Sequence, residues 1–352
     1  MEFEPLYLSG LADARGLQQA ALAPEAVASV RASVAGRLEK SKALLSKVAI
    51  QEYLKKQWAF LNQNAPMHIG EITGIAEGFG MSAHDISSYL HLGILDQGPS
   101  PDDGCSTLTA SNSAIGPFVA KNRDYSGEHR DLQRVFVQSD PDNTAQQCIF
   151  VGSLGSPGAF SSGMNSAGLA LADTRVDCPA IGVGWLRYHL MTEILWRSDT
   201  VEEAVEFISL VPHAGGGSLA MADASGAIAS VELGHPDASV QSSGKGSFIH
   251  TNHYFFDRAA NVGRAPWNSN KKNSHARLQA LRKASARHTA QTNMQEIVDL
   301  FSSHKNGDAG LCRHGGDDEQ GTISSAIFSC EARELHFFAG NPCESKPHRI
   351  SF

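Results

Sequence analysis

The sequence predicts an α+β fold of layered sheets and helices. Three observations carry that expectation. Helix-forming residues dominate the first hundred positions. Short β-rich runs, separated by Gly, Pro, Asn and Asp, fill most of the remainder. The later helical stretches come in blocks instead of alternating with single strands, which disfavours a βαβ fold. The one sharp change of texture falls at Gly104-Cys105.

Residues 12 to 62 are rich in Ala, Leu, Lys and Gln and are expected to be helical. Leu38, Leu44, Leu45, Val48, Ile50 and Leu54 recur at mixed three- and four-residue spacing, which predicts one buried stripe. Pro66 is expected to break that pattern. Ile69, Ile72 and Ile75-Ala76 then mark a short amphipathic helix ended by Gly78 or Gly80. A further helix spans Ala83 to Leu95, with Ser82 as its cap. Residues 97 to 104, Gln-Gly-Pro-Ser-Pro-Asp-Asp-Gly, form a turn-rich exposed segment of the kind a chain offers for cutting.

Strands are expected at Ser106–Ala110, Phe118–Asn122, Arg134–Gln138, Cys148–Val151, Gly158–Gly163 and Leu169–Ala172. A helix over Trp185–Arg197 follows, then one opened by Thr200 with Glu203 three residues on. Strands return at Leu219–Ala222, Ile228–Leu233 and Ser247–His250. Helices return at Ser274–Arg287 and after Thr292, with Gln295 in the third position. Thr322–Phe328 and Glu334–Phe338 close the chain as strands. No repeat or independent linker divides it.

At 352 residues the chain can bury a large core without staples. Its net charge of -8, with no basic stripe, argues against nucleic acid and anionic membranes as partners. The six cysteines contain no C-x-x-C pair, which predicts reduced thiols in a cytoplasmic protein. No leader-like N-terminus and no long apolar run are apparent.

Cys105 is the candidate nucleophile. A thiolate is the best side-chain nucleophile near neutral pH but needs activation. An α-amino group on the same residue can supply it, once Cys105 has become a chain start. Asn122-Arg123-Asp124 lies close downstream, within reach of a strand–turn–strand return. Arg123 can then hold a carboxylate or the thiolate, and Asp124 can orient the new ammonium. Asn252, in Thr251-Asn252-His253 at a strand end, is a candidate oxyanion donor; the plainer reading is a turn residue. Arg277 opens a helix in Ser274-His275-Ala276-Arg277, where the plainer reading is a solvated face. Cys312-Arg313-His314 invites a metal or a Cys-His pair. With those two ligand types alone in view, no metal and no cofactor are expected.

Together these segments resemble the acyl-coenzyme A:6-aminopenicillanic acid acyltransferase (isopenicillin N acyltransferase) family of N-terminal-nucleophile cysteine hydrolases. The carrying residues are Gly-Ile-Ala-Glu-Gly at 74–78, Asp-Gly-Cys-Ser at 103–106, Asn-Arg-Asp at 122–124 and Gly-Met-Asn-Ser-Ala-Gly-Leu-Ala at 163–170. Thr-Asn-His at 251–253, Ser-x-x-Arg at 274–277 and Cys-Arg-His at 312–314, with Thr322 beyond, complete the order. The resemblance implies a four-layer αββα sandwich and self-cleavage between Gly104 and Cys105. The products would be a mostly helical α chain, 1–104, and a β chain, 105–352, held together as one domain. It makes Cys105 the nucleophile, Asp124 the acidic partner, Asn252 the oxyanion donor and Arg277 the supporting arginine. Arg123, Asn122, Asn165 and Arg313 follow as binding or supporting residues. Ser106 stands where threonine is common, and Ser166 where an acidic residue is expected.

The expected activity is cleavage or transfer of the acyl group of a small N-acyl amine or amino acid through a Cys105 thioester. The two readings differ only in the last acceptor; the absence of an evident basic cluster for a nucleotide diphosphate favours hydrolysis. Homo-oligomerisation stays open. Two rivals are an uncleaved thiol hydrolase using Cys312 with His314, and a non-catalytic small-molecule binder. Pocket lining is expected near Leu95 and from loops around Phe160 and Trp185.

Overall fold

A computed structural model describes residues 3–96, 104–178, 180–256, 272–304, 310–316 and 319–352. Residues 97–103, with Asp102 and Asp103 of the predicted cut loop, lie outside the described residues. After strand β1 (Leu6–Ser9) come helices α1 (Ala12–Leu22), α2 (Val27–Lys40), α3 (Lys42–Leu45), α4 (Val48–Asn64), α5 (Pro66–Phe79) and α6 (Ala83–Leu95). Strands β2 (Ser106–Ala110) through β7 (Ala170–Thr174) follow, then α7 (Arg187–Arg197) and α8 (Val201–Leu210). Next are β8 (Gly217–Ala222), β9 (Ile228–Leu233), β10 (Ala238–Ser243) and β11 (Ser247–His250). Helices α9 (Lys272–Ser285) and α10 (Met294–Phe301) precede β12 (Gln320–Ser329), β13 (Glu334–Ala339) and β14 (His348–Ser351).

The described strands build two sheets. One has eight strands in the order β1-β4-β5-β6-β7-β8-β9-β10, with β4 at Gln133–Asp140, β5 at Asn143–Ser153 and β6 at Ser162–Asn165. The other has six, in the order β11-β2-β3-β12-β13-β14, with β3 at Phe118–Ser126. Strand alternation then makes four layers. On β5, Ile149 and Val151 point between the sheets and meet Val119, Met164, Ala170 and Phe328. Cys148 and Phe150 point the other way, into a core with α1, α2 and α4 to α8. On the far side, Leu108, Ala110, Phe118 and Ala120 pack against Leu281, Ile297 and Phe301 of α9 and α10. The αββα sandwich is the result.

Several local expectations need correcting. The 12–62 stripe is not one face: Leu54 is buried, but Val48 is 79% exposed and the segment is several helices. Pro66 starts α5 at its first turn, where a missing N–H costs nothing. The capping box of α10 is Asn293 with Glu296, one residue beyond the Thr292/Gln295 pairing. Three strands were absent from the sequence reading: β1, β10 and β14. All three are sheet edges, where one side meets no partner and apolar alternation is weak.

Helices α1 and α5 touch backbone to backbone. A Cβ on Gly74 would stand 1.9 Å from the Asp13 carbonyl oxygen, and one on Gly16 would stand 2.3 Å from that of Glu71. Gly74 is thus required by packing. Gly74→Ala is expected to lower stability by about 3 kcal/mol, read as a lower urea midpoint at unchanged slope. An unchanged midpoint would contradict the close approach.

Candidate active site

Sheet register assembles the site around Cys105. In the β2–β3 pair, Ser106 lies opposite Asn122, so the chain before β2 runs alongside Arg123 and Asp124. In the next pair Asp124 lies opposite Thr322 of β12. The Thr322 hydroxyl donates to Asp124 Oδ1 at 2.7 Å. Asp124 Oδ2 is buried and, among the described residues, accepts no hydrogen bond, with the Arg313 guanidinium 4.0 Å away. A Cβ on residue 104 would stand 2.6 Å from that oxygen and 2.7 Å from Arg313 Nη1, so a side chain there would displace one or both of these groups.

Asn252 and Arg277 meet on the other side of Cys105. Arg277 is fully buried. It donates to the Cys105 carbonyl, to Ser106 Oγ at 3.0 Å and to Asn252 Oδ1 at 2.8 Å. Ser274, one turn earlier on α9, accepts from the Asn252 backbone N–H at 2.8 Å. The Ser-x-x-Arg spacing therefore clamps Asn252 twice, by backbone and by side chain. One Asn252 Nδ2 hydrogen goes to the Arg175 carbonyl at 2.9 Å. An amide carries a second, and Asn252 lines the same cavity as Cys105.

That cavity is bounded by an aromatic wall and a set of charges. Tyr89 of α6 stacks on Phe160, and Phe160 lies 4.2 Å from Tyr188 of α7, centroid to centroid. Leu90 and Gly93 complete the α6 side, a turn earlier than the expected Leu95; Trp185 faces Phe60, His68 and Phe207 instead. Arg37, Lys121, Arg123, Arg175 and Arg187 also line it, against two carboxylates, Asp124 and Asp173. A basic cluster that the sequence did not display is therefore present. Asp173 binds two of these cations, Lys121 and Arg187. Burial favours its neutral form, but those two charges hold its carboxyl below the usual range. Arg123 is buried between neutral partners, donating to Gln133 Oε1 at 2.8 Å and Ser153 Oγ at 3.2 Å beneath the Phe160 ring.

Burial pushes the Cys105 thiol above the ordinary thiol range; the Lys121 ammonium opposes the shift, while Asp173 and Asp124 add to it. Burial also raises Asp124 to about 6, against the pull of Arg277 and its Thr322 hydrogen bond. Among the described residues no histidine lines the cavity. Among the described residues the Cys105 thiol therefore has no imidazole partner in the cavity.

Other predicted residues sit elsewhere. Asn122 donates to the carbonyls of Phe301 and Leu311 at 2.8 Å each, on the helical side of its sheet. Asn165 donates to the carbonyls of Leu195 and Ser198, anchoring the end of α7. Neither lines the cavity. Ser166 occupies the adjoining turn, bonded to Gln147 and Gln146. Cys312 and His314 also lie outside the cavity lining, and burial pushes the Cys312 thiol up to about 12. Sequence reading missed Lys121, Asp173, Arg175 and Arg187. The Asp173-Thr-Arg175 run at the end of β7 was the signal available for two of them.

The chain matches the family described as acyl-coenzyme A:6-aminopenicillanic acid acyl-transferase over residues 110–344. It belongs to that family. It is an enzyme of acyl-group chemistry. Solved structures with a similar course include two variants of conjugated bile acid hydrolase from Clostridium perfringens. They are 13% and 14% identical, with TM-scores of 0.42 and 0.45, each covering 70% of this chain and 97% of the other. Penicillin V acylase from Agrobacterium tumefaciens is 14% identical, with a TM-score of 0.42 over 70% of this chain and 86% of that one. No curated protein sequence matches. Among the described residues, no helix is long and apolar enough to cross a membrane.

Proposed function

We propose that this family member cuts itself between Gly104 and Cys105 and then cleaves a small, carboxylate-bearing N-acyl compound through a Cys105 thioester. The observation that carries the proposal is that, among the described residues, a thiol with no imidazole in its cavity stands with an Asp124 Oδ2 that accepts no hydrogen bond beside residue 104. A new ammonium at Cys105 would fill that position. Its neutral form is then the base the thiol lacks. The amine takes the thiol proton, and Sγ attacks the substrate carbonyl. Asn252 Nδ2 and backbone N–H groups steady the oxyanion. The leaving amine takes the proton back from the Cys105 ammonium. Water or a second amine then attacks the thioester and frees Cys105. The fragments of 104 and 248 residues stay together because their helices and strands share one core.

The substrate class rests on charge. Among the described residues, five cations and two carboxylates line the cavity, and buried Arg123 has only neutral hydrogen-bond partners. A substrate carboxylate would offset that guanidinium, while Tyr89, Phe160 and Tyr188 receive the apolar portion. N-acyl amino acids are expected to exceed the matching decarboxylated N-acyl amines roughly 10- to 100-fold in kcat/KM. Arg123→Met is expected to remove most of that preference. Equal rates on both series with the wild-type enzyme would refute the substrate class and leave the nucleophile untouched.

A further inference from the structure

Four metal-type ligands converge at one end of the second sheet, brought from three separate chain segments. His304 lies beyond the end of α10, Cys312 and His314 lie in the loop leading to β12, and Cys343 lies in the turn between β13 and β14. Their ligand atoms all fall within 4.8 Å of one another. The two Nε2 atoms of His304 and His314 stand 2.9 Å apart, Cys343 Sγ is 3.3 Å from His314 Nε2, and the sulfurs of Cys312 and Cys343 are 3.5 Å apart. Around tetrahedral zinc, neighbouring sulfur and nitrogen donors are separated by about 3.3–3.8 Å. The expectation of no metal, made from Cys312 and His314 alone, therefore overlooked half of the donor set.

We propose that His304, Cys312, His314 and Cys343 bind one structural zinc ion. Two sulfurs and two imidazoles are the donors zinc takes in closed tetrahedral sites. With both thiols deprotonated and both imidazoles neutral, the two ligand charges cancel those of the ion. The surroundings support that state. The Asn341 side-chain amide donates to Cys312 Sγ at 3.3 Å, as a coordinated thiolate requires. His314 turns its other nitrogen, Nδ1, toward the Glu344 carboxylate at 3.6 Å, the arrangement that orients a metal-bound imidazole. Three of the four residues are exposed, which leaves the ion a way in.

The site would tie the loop after α10 to the β13–β14 turn, and Arg313 lies between two of its ligands. Arg313 donates its backbone N–H to Thr322 Oγ1 at 2.9 Å, and Asn341 donates to the Arg313 carbonyl at 2.7 Å. Thr322 in turn donates to Asp124. The ion thus holds the segment that faces Asp124 and Gly104, from outside the cavity.

The test uses full-length protein, reduced, with its thiols counted and then given zinc or cobalt(II). Elemental analysis is expected to find one zinc per chain. Cobalt is expected to give the intense visible bands of a tetrahedral ion with thiolate-to-metal charge transfer. Cys343→Ser, at an exposed turn, is expected to bind zinc at least about tenfold more weakly with an unchanged far-ultraviolet circular dichroism spectrum, and Glu344→Gln about tenfold more weakly. Reduced wild-type protein that takes up neither metal would overturn the proposal, as would wild-type zinc affinity in Cys343→Ser. These readouts involve no turnover, so they stand or fall apart from the Cys105 chemistry.

Discussion

Cys105→Ala is expected to remain a single full-length chain and to lose about six orders of magnitude in kcat. Both losses follow from one atom. In the proposed mechanism Sγ attacks the Gly104 carbonyl in the precursor and the substrate carbonyl afterwards, and alanine keeps the backbone of the site while removing that atom. The wild-type protein is expected to run as two fragments after denaturation, the larger beginning at Cys105. Intact mass and N-terminal sequencing decide the first point, and amine release from N-acyl amino acids the second. Cys105→Ser retains an attacking oxygen in the same place and is expected to cut slowly. An alanine variant still divided at Gly104, or still turning over, would sink the nucleophile. Activity that survived in the alanine variant but vanished in Cys312→Ala would instead favour the uncleaved thiol hydrolase.

Asp124→Asn is expected to separate function from stability. Loss of a carboxylate that orients a catalytic base costs roughly 10³- to 10⁴-fold in kcat in comparable arrangements. Stability should move the other way. Burial raises the Asp124 carboxyl from the ordinary 3.8 to about 6 in the uncut chain. The folded chain therefore holds this proton more tightly than the unfolded one. Between about pH 4 and pH 6 the folded state binds more protons, so stability falls as pH rises through that window. Above it, the ionised carboxylate costs about 3 kcal/mol. In the uncut Cys105→Ala background, adding Asp124→Asn is expected to remove this fall, seen as a difference between two urea-unfolding series from pH 4 to pH 7. Parallel series, or an asparagine variant that is weaker at neutral pH, would contradict it. In the proposed cut form, an ammonium beside Oδ2 would favour the ionised carboxylate and offset that cost.

The Cys105–Arg277 tie has a different standing from these two residues. On local grounds a helix-opening arginine belongs in solvent, yet Arg277 is fully buried and holds three groups of the site. Only the return of β11 beside β2 brings α9 over Cys105. The Ser-x-x-Arg motif at 274–277 marks Arg277 through the family resemblance, but helix propensity and local polarity do not signal that packing.

Much could be read from local order. The helix Ala83–Leu95 and the strands Ser106–Ala110, Ile228–Leu233 and Ser247–His250 stand where propensity and turn residues put them. Such signals live within a few residues, because capping, alternation and turn chemistry act at that range. The change of texture at Gly104-Cys105 and the ordered family motifs were likewise carried by the chain itself. Three edge strands escaped because half of their neighbourhood is solvent, which imposes no pattern. Several cavity charges and two of the four proposed zinc ligands escaped for another reason. Lys121, Asp173 and Arg187 come from β3, β7 and α7, while His304 and Cys343 are separated by two whole strands. Their chemistry lies in distances set by sheet register and layer packing, which no single stretch of sequence contains.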